Sequence, residues 1–395
     1  MPKVEFAQEP VTVSSSEVLE LTTETLKEHF NLLIDSHRYT EETIFHILVK
    51  ASAEANTIED TCNRLESASC SNAIRYQLKK NLLVDIKSLE DEANKALLEH
   101  LPPGIKGKKQ EGAIDLVFIP YHGEAYQSED EIRRSQAKSG TTHFHCYATA
   151  YVIKKNKRLT LALTYVRKND SLIDVLERLF ALLARIEVSF RRLYLDKGFY
   201  QVDVIRFLIG HNIPAIIPVI MRGKKGGPRR LLKGRKSYQT TYTMKSQKYG
   251  QVSFDVWVVR KYSKGKYRRH GVEWFCYAIL GETNLSPLQV YEGYRRRFGI
   301  ESSYRLMNEV RARTTSRNPA LRLLLVGIAF IILNIWVYLK WILGQPRRGG
   351  RYIHRNLFVL SQLRLFLTEA VKQIYGVTLT IRQPLSATSP QSCNF

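Results

Sequence analysis

YEGYRRRFGIESSYRLMN, the sequence of residues 291–308, is the segment around which the predicted architecture of this chain is organised. Ser286 and Pro287 precede it, and this pair is typical of the cap and first residue of a helix, so a helix is predicted to begin there. Five residues of the segment recur at steps of three and four, so they share one helix face. These residues are Tyr294, Arg297, Glu301, Tyr304 and Asn308.

Glu301 is the one carboxylate on that face, and two interpretations of it are open. An acid on a basic helix is commonly half of a surface ion pair. It can also hold a metal ion beside a bound phosphate chain. The helix alone favours the ion pair, so the rest of the chain has to decide.

The charge of the chain points to a polyanionic partner. Its 395 residues are enough for two or three domains, and they carry a formal net charge of +23. Nucleic acid is the first candidate partner for such a surplus. Residues 1–100 contain 18 acids against 10 Lys and Arg, a net of −8, so the rest of the chain carries +31. The polyanion is therefore expected to bind most strongly after residue 100.

The cellular compartment is predicted from cysteines and apolar segments. The five cysteines form no CxxC pair, which predicts neither a disulfide framework nor a zinc ribbon and fits a reducing cytoplasm. The first residues lack an apolar signal core, so export is not expected. Residues 323–339 are uncharged and just long enough for a membrane span. A core helix capped by Asn318 and Pro319 is the favoured interpretation, and no membrane partner is expected.

The first hundred residues are predicted to be helical and to recognise DNA. Helices are predicted over residues 17–35, 41–53, 57–65 and 72–81. The last two are short and joined by a small-residue turn, which is typical of a helix-turn-helix. The second would present Arg75, Lys79 and Lys80 to DNA. A helical hairpin without DNA is the alternative, since this region is acidic.

The middle of the chain predicts a mixed α/β core. Three strands, a helix, a strand, a helix and a strand are predicted over residues 113–120, 143–153, 158–166, 170–190, 192–196, 202–209 and 213–219. This order matches the ribonuclease H-like fold. A β-rich insertion follows, with strands over residues 251–260 and 274–280 and a basic loop. The loop supplies the candidate DNA contacts Lys224, Lys225, Arg229 and Arg230.

The chain is accordingly divided into five predicted segments. A helical DNA-binding domain (1–105) precedes the first part of the core (106–220), the insertion (221–285), the second part of the core (286–345) and a C-terminal helix and tail (346–395).

Three acids are predicted to meet in this core. Asp115 lies in an apolar strand, where a charge is costly unless it is paired or binds a cation. Asp196 ends a strand, where open α/β sheets place ligand groups. The first and fourth strands of a ribonuclease H-like core are adjacent, and a later helix crosses their ends, so Glu301 can join the two. Three such carboxylates favour Mg²⁺ or Mn²⁺.

These motifs resemble the DDE transposases of bacterial and archaeal insertion sequences, in particular those with a β-strand insertion before the third acid. In that family the third-acid helix carries Tyr, two residues, Arg, three residues, Glu, six residues and Lys. Tyr294, Arg297 and Glu301 match this spacing, and Asn308 replaces the lysine. Asp196 is followed by Gly198 and Tyr200, as in the family's second motif. Asp115 matches by strand context.

The resemblance implies a function for the whole chain. Asp115, Asp196 and Glu301 would be catalytic and bind Mg²⁺ or Mn²⁺ for two-metal phosphoryl transfer, while Tyr294, Arg297 and Asn308 would contact the element end. The partners implied are double-stranded DNA of terminal repeats and target, and further copies of the chain in a dimer or larger synaptic complex. A prokaryotic, nucleoid-associated cytoplasmic location is expected. A ribonuclease H-like nuclease or resolvase and an inactive transposase-derived DNA-binding protein are the alternatives.

Overall fold

The computed structural model describes residues 11–34, 36, 39–82, 85–154, 158–222, 226–264, 270–281, 284–347, 350–354 and 356–380. Its helices are α1 Ser15–Phe30, α2 Glu41–Ala53, α3 Ile58–Asn63, α4 Ser71–Asn81, α5 Ile86–Glu99, α6 Leu172–Ala184, α7 Val202–Gly210, α8 Pro287–Arg295, α9 Phe298–Glu309, α10 Pro319–Ile342 and α11 Leu360–Tyr375. Its strands are β1 Lys109–Pro120, β2 Arg133–Lys138, β3 Thr141–Val152, β4 Thr160–Val166, β5 Ser189–Leu195, β6 Ala215–Pro218, β7 Tyr238–Ser246, β8 Gly250–Lys264, β9 His270–Leu280, β10 Gln345–Arg347 and β11 Gly350–Tyr352.

The chain folds into two compact units. One comprises Met1–Pro102 together with Arg305–Phe395, and the other comprises Pro103–Tyr304. In the first unit α11 packs on α1 and α2, and α10 packs on α5. Described segments from the first and the last hundred residues therefore build the helical unit. The division into five segments stays a prediction.

Two predicted helix starts are confirmed. Ser286 caps α8, with Pro287 as its first residue, and exchanges hydrogen bonds with Gln289 in a capping box. Asn318 caps α10, where its side chain accepts from the backbone amides that follow Pro319. Such caps satisfy amides that have no partner inside the helix.

Helix α10 is the long apolar segment of the sequence. Among the described residues it is the one helix with the length and composition to cross a membrane, and 94% of its most apolar window is buried. Its one polar interruption, Asn334, donates to the backbone oxygen of Leu97 at 2.9 Å. Because Leu97 lies in the last turn of α5, this bond satisfies a carbonyl that the helix leaves open. The burial and this bond are those of a core helix.

The second unit is built on one mixed sheet with the order β2-β3-β1-β5-β6-β9-β8-β7, in which β4 also pairs with β3. Strand β1 runs antiparallel to β3 and parallel to β5. The predicted adjacency of the first and fourth core strands is thus confirmed, and so is the ribonuclease H-like core with its β-rich insertion. The insertion strands extend the sheet, because β9 pairs with β6.

The prediction of one continuous helix from Ser286 to Asn308 is wrong, since the structure has two helices there, α8 and α9. Between them, backbone amides bond three residues back: Arg296 to Gly293, Arg297 to Tyr294, and Ile300 to Arg297. Bonds of this type tighten the chain into a 3₁₀ turn. Arg297 therefore lies in the turn that precedes α9. The strands β2, β7, β10 and β11 and the helix α5 were not predicted.

Candidate active site

Asp115 and Asp196 lie side by side on neighbouring strands. The parallel register of β1 and β5 places Ile114 opposite Leu195, and each aspartate is the next residue in its chain. Oδ1 of Asp115 accepts from the amide of Leu116 at 2.9 Å. The side chain of Asp196 caps a 3₁₀ turn and accepts from the amide of Lys197 at 2.6 Å.

Arg297 joins these acids to Glu301. Its Nη1 donates to Oδ2 of Asp115 at 2.9 Å, and its Nη2 donates to Oε1 of Glu301 at 2.6 Å. The same Nη2 lies 3.8 Å from Oδ1 of Asp196. The guanidinium is buried. The structure thus brings together all three predicted acids, with a cation at their centre.

The site changes from buried to open across the three acids. The Asp115 side chain is 16% exposed, whereas that of Glu301 is 50% exposed. Burial raises the pKa of Asp115 to about 6, although Arg297 opposes the shift. Burial disfavours the charge of Arg297, but Tyr294 and the carboxylates outweigh it, so its pKa is raised. A ligand would approach from the side of Glu301.

Two tyrosines hold the site in place. Tyr304 donates to the backbone oxygen of Asp115 at 2.8 Å, and its hydroxyl lies 2.8 Å from Oγ1 of Thr149. Tyr294 is buried and donates to the backbone oxygen of Leu195 at 3.1 Å. These are contacts of positioning residues. Sequence reasoning missed this role of Tyr304 and Thr149, although Tyr304 lies on the predicted helix face.

The donor set fits a hard divalent cation. Three carboxylates offer the oxygen ligands that Mg²⁺ and Mn²⁺ prefer. Nε of Arg297 is buried without an acceptor among the described residues, so the guanidinium is incompletely satisfied where it lies. The ligand atoms of Asp115, Asp196 and Glu301 do not all come within 4.8 Å of one another. A shared metal ion would therefore require the carboxylates to close in and Arg297 to give way.

The other predicted DNA contacts lie on separate elements. On α4, Lys79 and Lys80 are exposed, and Arg75 is exposed with Nη1 3.6 Å from Oε2 of Glu59. Arg229 and Arg230 are exposed in a 3₁₀ turn. Lys224 and Lys225 lie outside the described residues. Asn308 is exposed near the end of α9. The DNA contacts predicted for these residues, and for Tyr294 and Arg297, stay predictions.

The fold and the acids define a class, the ribonuclease H-like proteins with a carboxylate cluster at the centre of the sheet. A family model described as the transposase DDE domain matches residues 106–335. This is more than half of the chain, which therefore belongs to the family of proteins with a transposase DDE domain. That family is one of nucleases and strand transferases that normally use divalent metals. No curated protein matches the sequence.

A solved structure shares the fold. The cryo-EM structure of a piggyBac transposase synaptic complex with hairpin DNA is similar to this chain with a TM-score of 0.53 and 11% sequence identity. The likeness covers 92% of this chain and 80% of that chain. At this identity it shows the fold alone.

Proposed function

We propose that this protein cuts the ends of a bacterial or archaeal insertion sequence and joins the freed 3′-hydroxyl to target DNA. The observation that carries the proposal is the meeting of Asp115, Asp196 and Glu301 around one buried guanidinium. Three carboxylates near one point repel one another unless a cation lies among them, and this donor set suits a divalent ion of the kind used in phosphoryl transfer. The family membership supports the same conclusion.

Asp115, Asp196 and Glu301 would hold the divalent ions, Mg²⁺ or Mn²⁺. When bound, two such ions activate the attacking oxygen and stabilise the leaving oxygen of a phosphodiester. The backbone bond from Tyr304 fixes Asp115, and the bond from Tyr294 fixes the end of β5 beside Asp196. Arg297 would supply a positive charge beside these carboxylates, close to where the phosphate would lie.

The partners proposed are double-stranded DNA of the element ends and target, and other copies of this chain. The charge of +31 after residue 100 supports DNA binding. A dimer or larger assembly is proposed because joining two element ends to one target requires two active sites. We also propose a cytoplasmic, nucleoid-associated location, which fits the scattered cysteines.

The test uses labelled DNA that flanks the coding sequence as candidate element ends, with Mg²⁺, Mn²⁺ or EDTA. Wild type is compared with Glu301→Gln and Asp196→Asn, and with Glu292→Gln, an exposed acid on α8, as the matched control. Metal-dependent cutting is expected in wild type and in the control, and loss of cutting with retained binding in the other two variants. Strand-joined products separate a transposase from a nuclease or resolvase.

Two outcomes would contradict the proposal. Cutting by Glu301→Gln at the wild-type rate would remove Glu301 from the reaction. Binding without cutting by the wild type, with any metal, would favour an inactive transposase-derived DNA-binding protein.

A further inference from the structure

A second charged cluster lies on β1, around Glu111. Nη1 of Arg192 lies 2.7 Å from Oε1 of Glu111, and Nη2 of Arg191 lies 3.3 Å from the same oxygen. Nη1 of Arg296 lies 3.7 Å from Oε2. We call Glu111, Arg191, Arg192 and Arg296 the arginine cluster. One carboxylate thus meets three guanidiniums.

The cluster holds more positive charge than its acid requires. The Glu111 side chain is only 9% exposed, and the contact with Arg192 alone supplies it with an opposite charge. Arg191 and Arg296 add two further charges, and their side chains are 63% and 61% exposed. A guanidinium carries five N–H donors, so these two residues also present donors to solvent. Like charges held together repel one another, and an anion placed between them would remove that cost.

The geometry of guanidiniums suits one anion in particular. Their planar donor pairs match the oxygens of phosphate, which is why arginine is common at phosphate contacts. The largely covered carboxylate of Glu111 contacts all three guanidiniums and so restricts where they lie. Because Arg191 and Arg296 are exposed, a phosphate bound to them stays open to solvent. The DNA strand on either side of that phosphate can therefore continue past the cluster.

The cluster is linked to the candidate active site by two segments of chain. Glu111 and Asp115 are four residues apart on β1, so they face the same side of the sheet at a spacing of about 13 Å. Arg296 and Arg297 are consecutive, and the first contacts Glu111 while the second contacts Asp115. The tight turn between α8 and α9 therefore supplies one arginine to each acid.

We propose that Arg191, Arg192 and Arg296 form a phosphate subsite that binds the DNA backbone a few nucleotides from the bond that is cut. This distance follows from the spacing of about 13 Å along β1, which spans only a few nucleotides of one strand. This inference rests on the proposed function, because the cut bond is placed at Asp115, Asp196 and Glu301.

The test is a scan of the DNA backbone with the full-length protein. Single uncharged methylphosphonate linkages are placed in turn along an element end, and binding is measured with each. Wild type should lose affinity when the change lies a few nucleotides from the cut bond. The double variant Arg191→Gln/Arg296→Gln should be insensitive at that position. Its slope of log K against log salt should fall by about 1, since the subsite binds one phosphate and each phosphate contact contributes about 0.9.

Arg134→Gln/Arg185→Gln is the matched control, because both residues are exposed arginines outside the arginine cluster. It removes the same charge and should keep the wild-type sensitivity in the linkage scan. Unchanged thermal unfolding of both double variants verifies that the fold is kept. If the arginines served only to neutralise Glu111, the double variant would bind DNA with the wild-type salt slope, and this result would overturn the proposal.

A free phosphate is distinguished from DNA by a separate arm with inorganic phosphate. Binding of inorganic phosphate that the double variant loses, together with a flat linkage scan in wild type, would assign the cluster to a free anion and overturn the DNA assignment. The subsite and the proposed function are tested by different results. If the wild type cuts DNA but gives a flat linkage scan, only the subsite is disproved. If the wild type never cuts DNA, the proposed function is disproved, and the binding scan still tests the arginines.

Discussion

Nη1 of Arg297 donates to Oδ2 of Asp115 at 2.9 Å, a bond between residues 182 positions apart in the sequence. It ties the centre of the sheet to the turn before α9. The same guanidinium reaches Glu301 and Asp196, so a protein cation lies where the donor set fits a metal ion. Three carboxylates can thus be held near one another by Arg297 alone, and a metal ion and this guanidinium compete for the same oxygens.

Arg297→Gln is expected to lower the free energy of unfolding in EDTA by about 3–5 kcal/mol, because it leaves the carboxylate of Asp115 buried without its partner. Mg²⁺ should then stabilise the variant more than it stabilises wild type, since the competing cation is gone. Urea unfolding with EDTA and with Mg²⁺ measures both effects.

Arg295→Gln is the control for this experiment. Arg295 is exposed on α8, and its guanidinium lies 5.9 Å from the ring centroid of Tyr291. Its loss should leave the unfolding free energy within about 0.5 kcal/mol of wild type, as is usual for surface substitutions. If Mg²⁺ stabilised Arg297→Gln and wild type equally, competition between the metal and the guanidinium would be disproved.

Gly293→Ala is expected to destabilise the protein by about 1–3 kcal/mol, the usual cost of overpacking. A Cβ at this position of α8 would lie 2.7 Å from the hydroxyl oxygen of Tyr194 and 3.6 Å from its Cζ. Of the Tyr194 side chain, only the hydroxyl oxygen would lie too close to the added methyl group. Tyr194→Phe should therefore rescue most of the loss, and thermal unfolding of the two single variants and the double variant measures it. Equal losses in both backgrounds would show that the hydroxyl is not the cause.

Much of the α/β core could be predicted from the spacing of apolar residues and from the positions of the acids relative to the strands. Asp115 was identified because it interrupts an apolar strand, and Asp196 because it ends one. Both arguments depend on local sequence and on the strand order that the structure confirms. The start of α8 was equally local, since Ser286 and Pro287 supply the cap themselves.

The remaining features depend on contacts between distant segments. The turn between α8 and α9 is accompanied by a close approach of Gly293 to Tyr194 and by the bonds of Arg297, none of which is visible in a helix periodicity. Strand β7 is half exposed along its length, so it has no apolar run to mark it. Helix α5 is different. Its buried Leu89, Ala93 and Leu97 recur at helical spacing, and that signal could have been used.

Lys340 gives a pH-dependent contribution to stability. Burial lowers its pKa from 10.5 to about 8, so between these values the unfolded chain binds more protons than the folded one. Stability therefore rises as the pH increases through this window, and the destabilising effect of the charge is complete below pH 8. The variant Lys340→Met removes this titrating group. At pH 7.5 the variant gains stability because the buried charge is removed, and the loss of the contact between Nζ of Lys340 and the Trp336 ring offsets part of this gain. The stability of the variant relative to wild type should therefore fall between pH 7.5 and pH 10. Urea unfolding at several pH values measures the difference, and parallel curves for the two proteins would disprove it.

Helix α4 is expected to contribute phosphate contacts through Lys79 and Lys80. Lys79→Gln/Lys80→Gln should weaken DNA binding by a similar factor on all sequences and reduce the slope of log K against log salt by about 2, because each phosphate contact contributes about 0.9. Lys87→Gln/Lys95→Gln is the matched control, since both lysines are exposed on the neighbouring helix α5 and the change in charge is the same. Fluorescence anisotropy with a labelled duplex over a range of salt gives both slopes. If both double variants reduced the salt slope equally, the slope would depend on net charge alone. The helix-turn-helix interpretation of α3 and α4 would then lose its support.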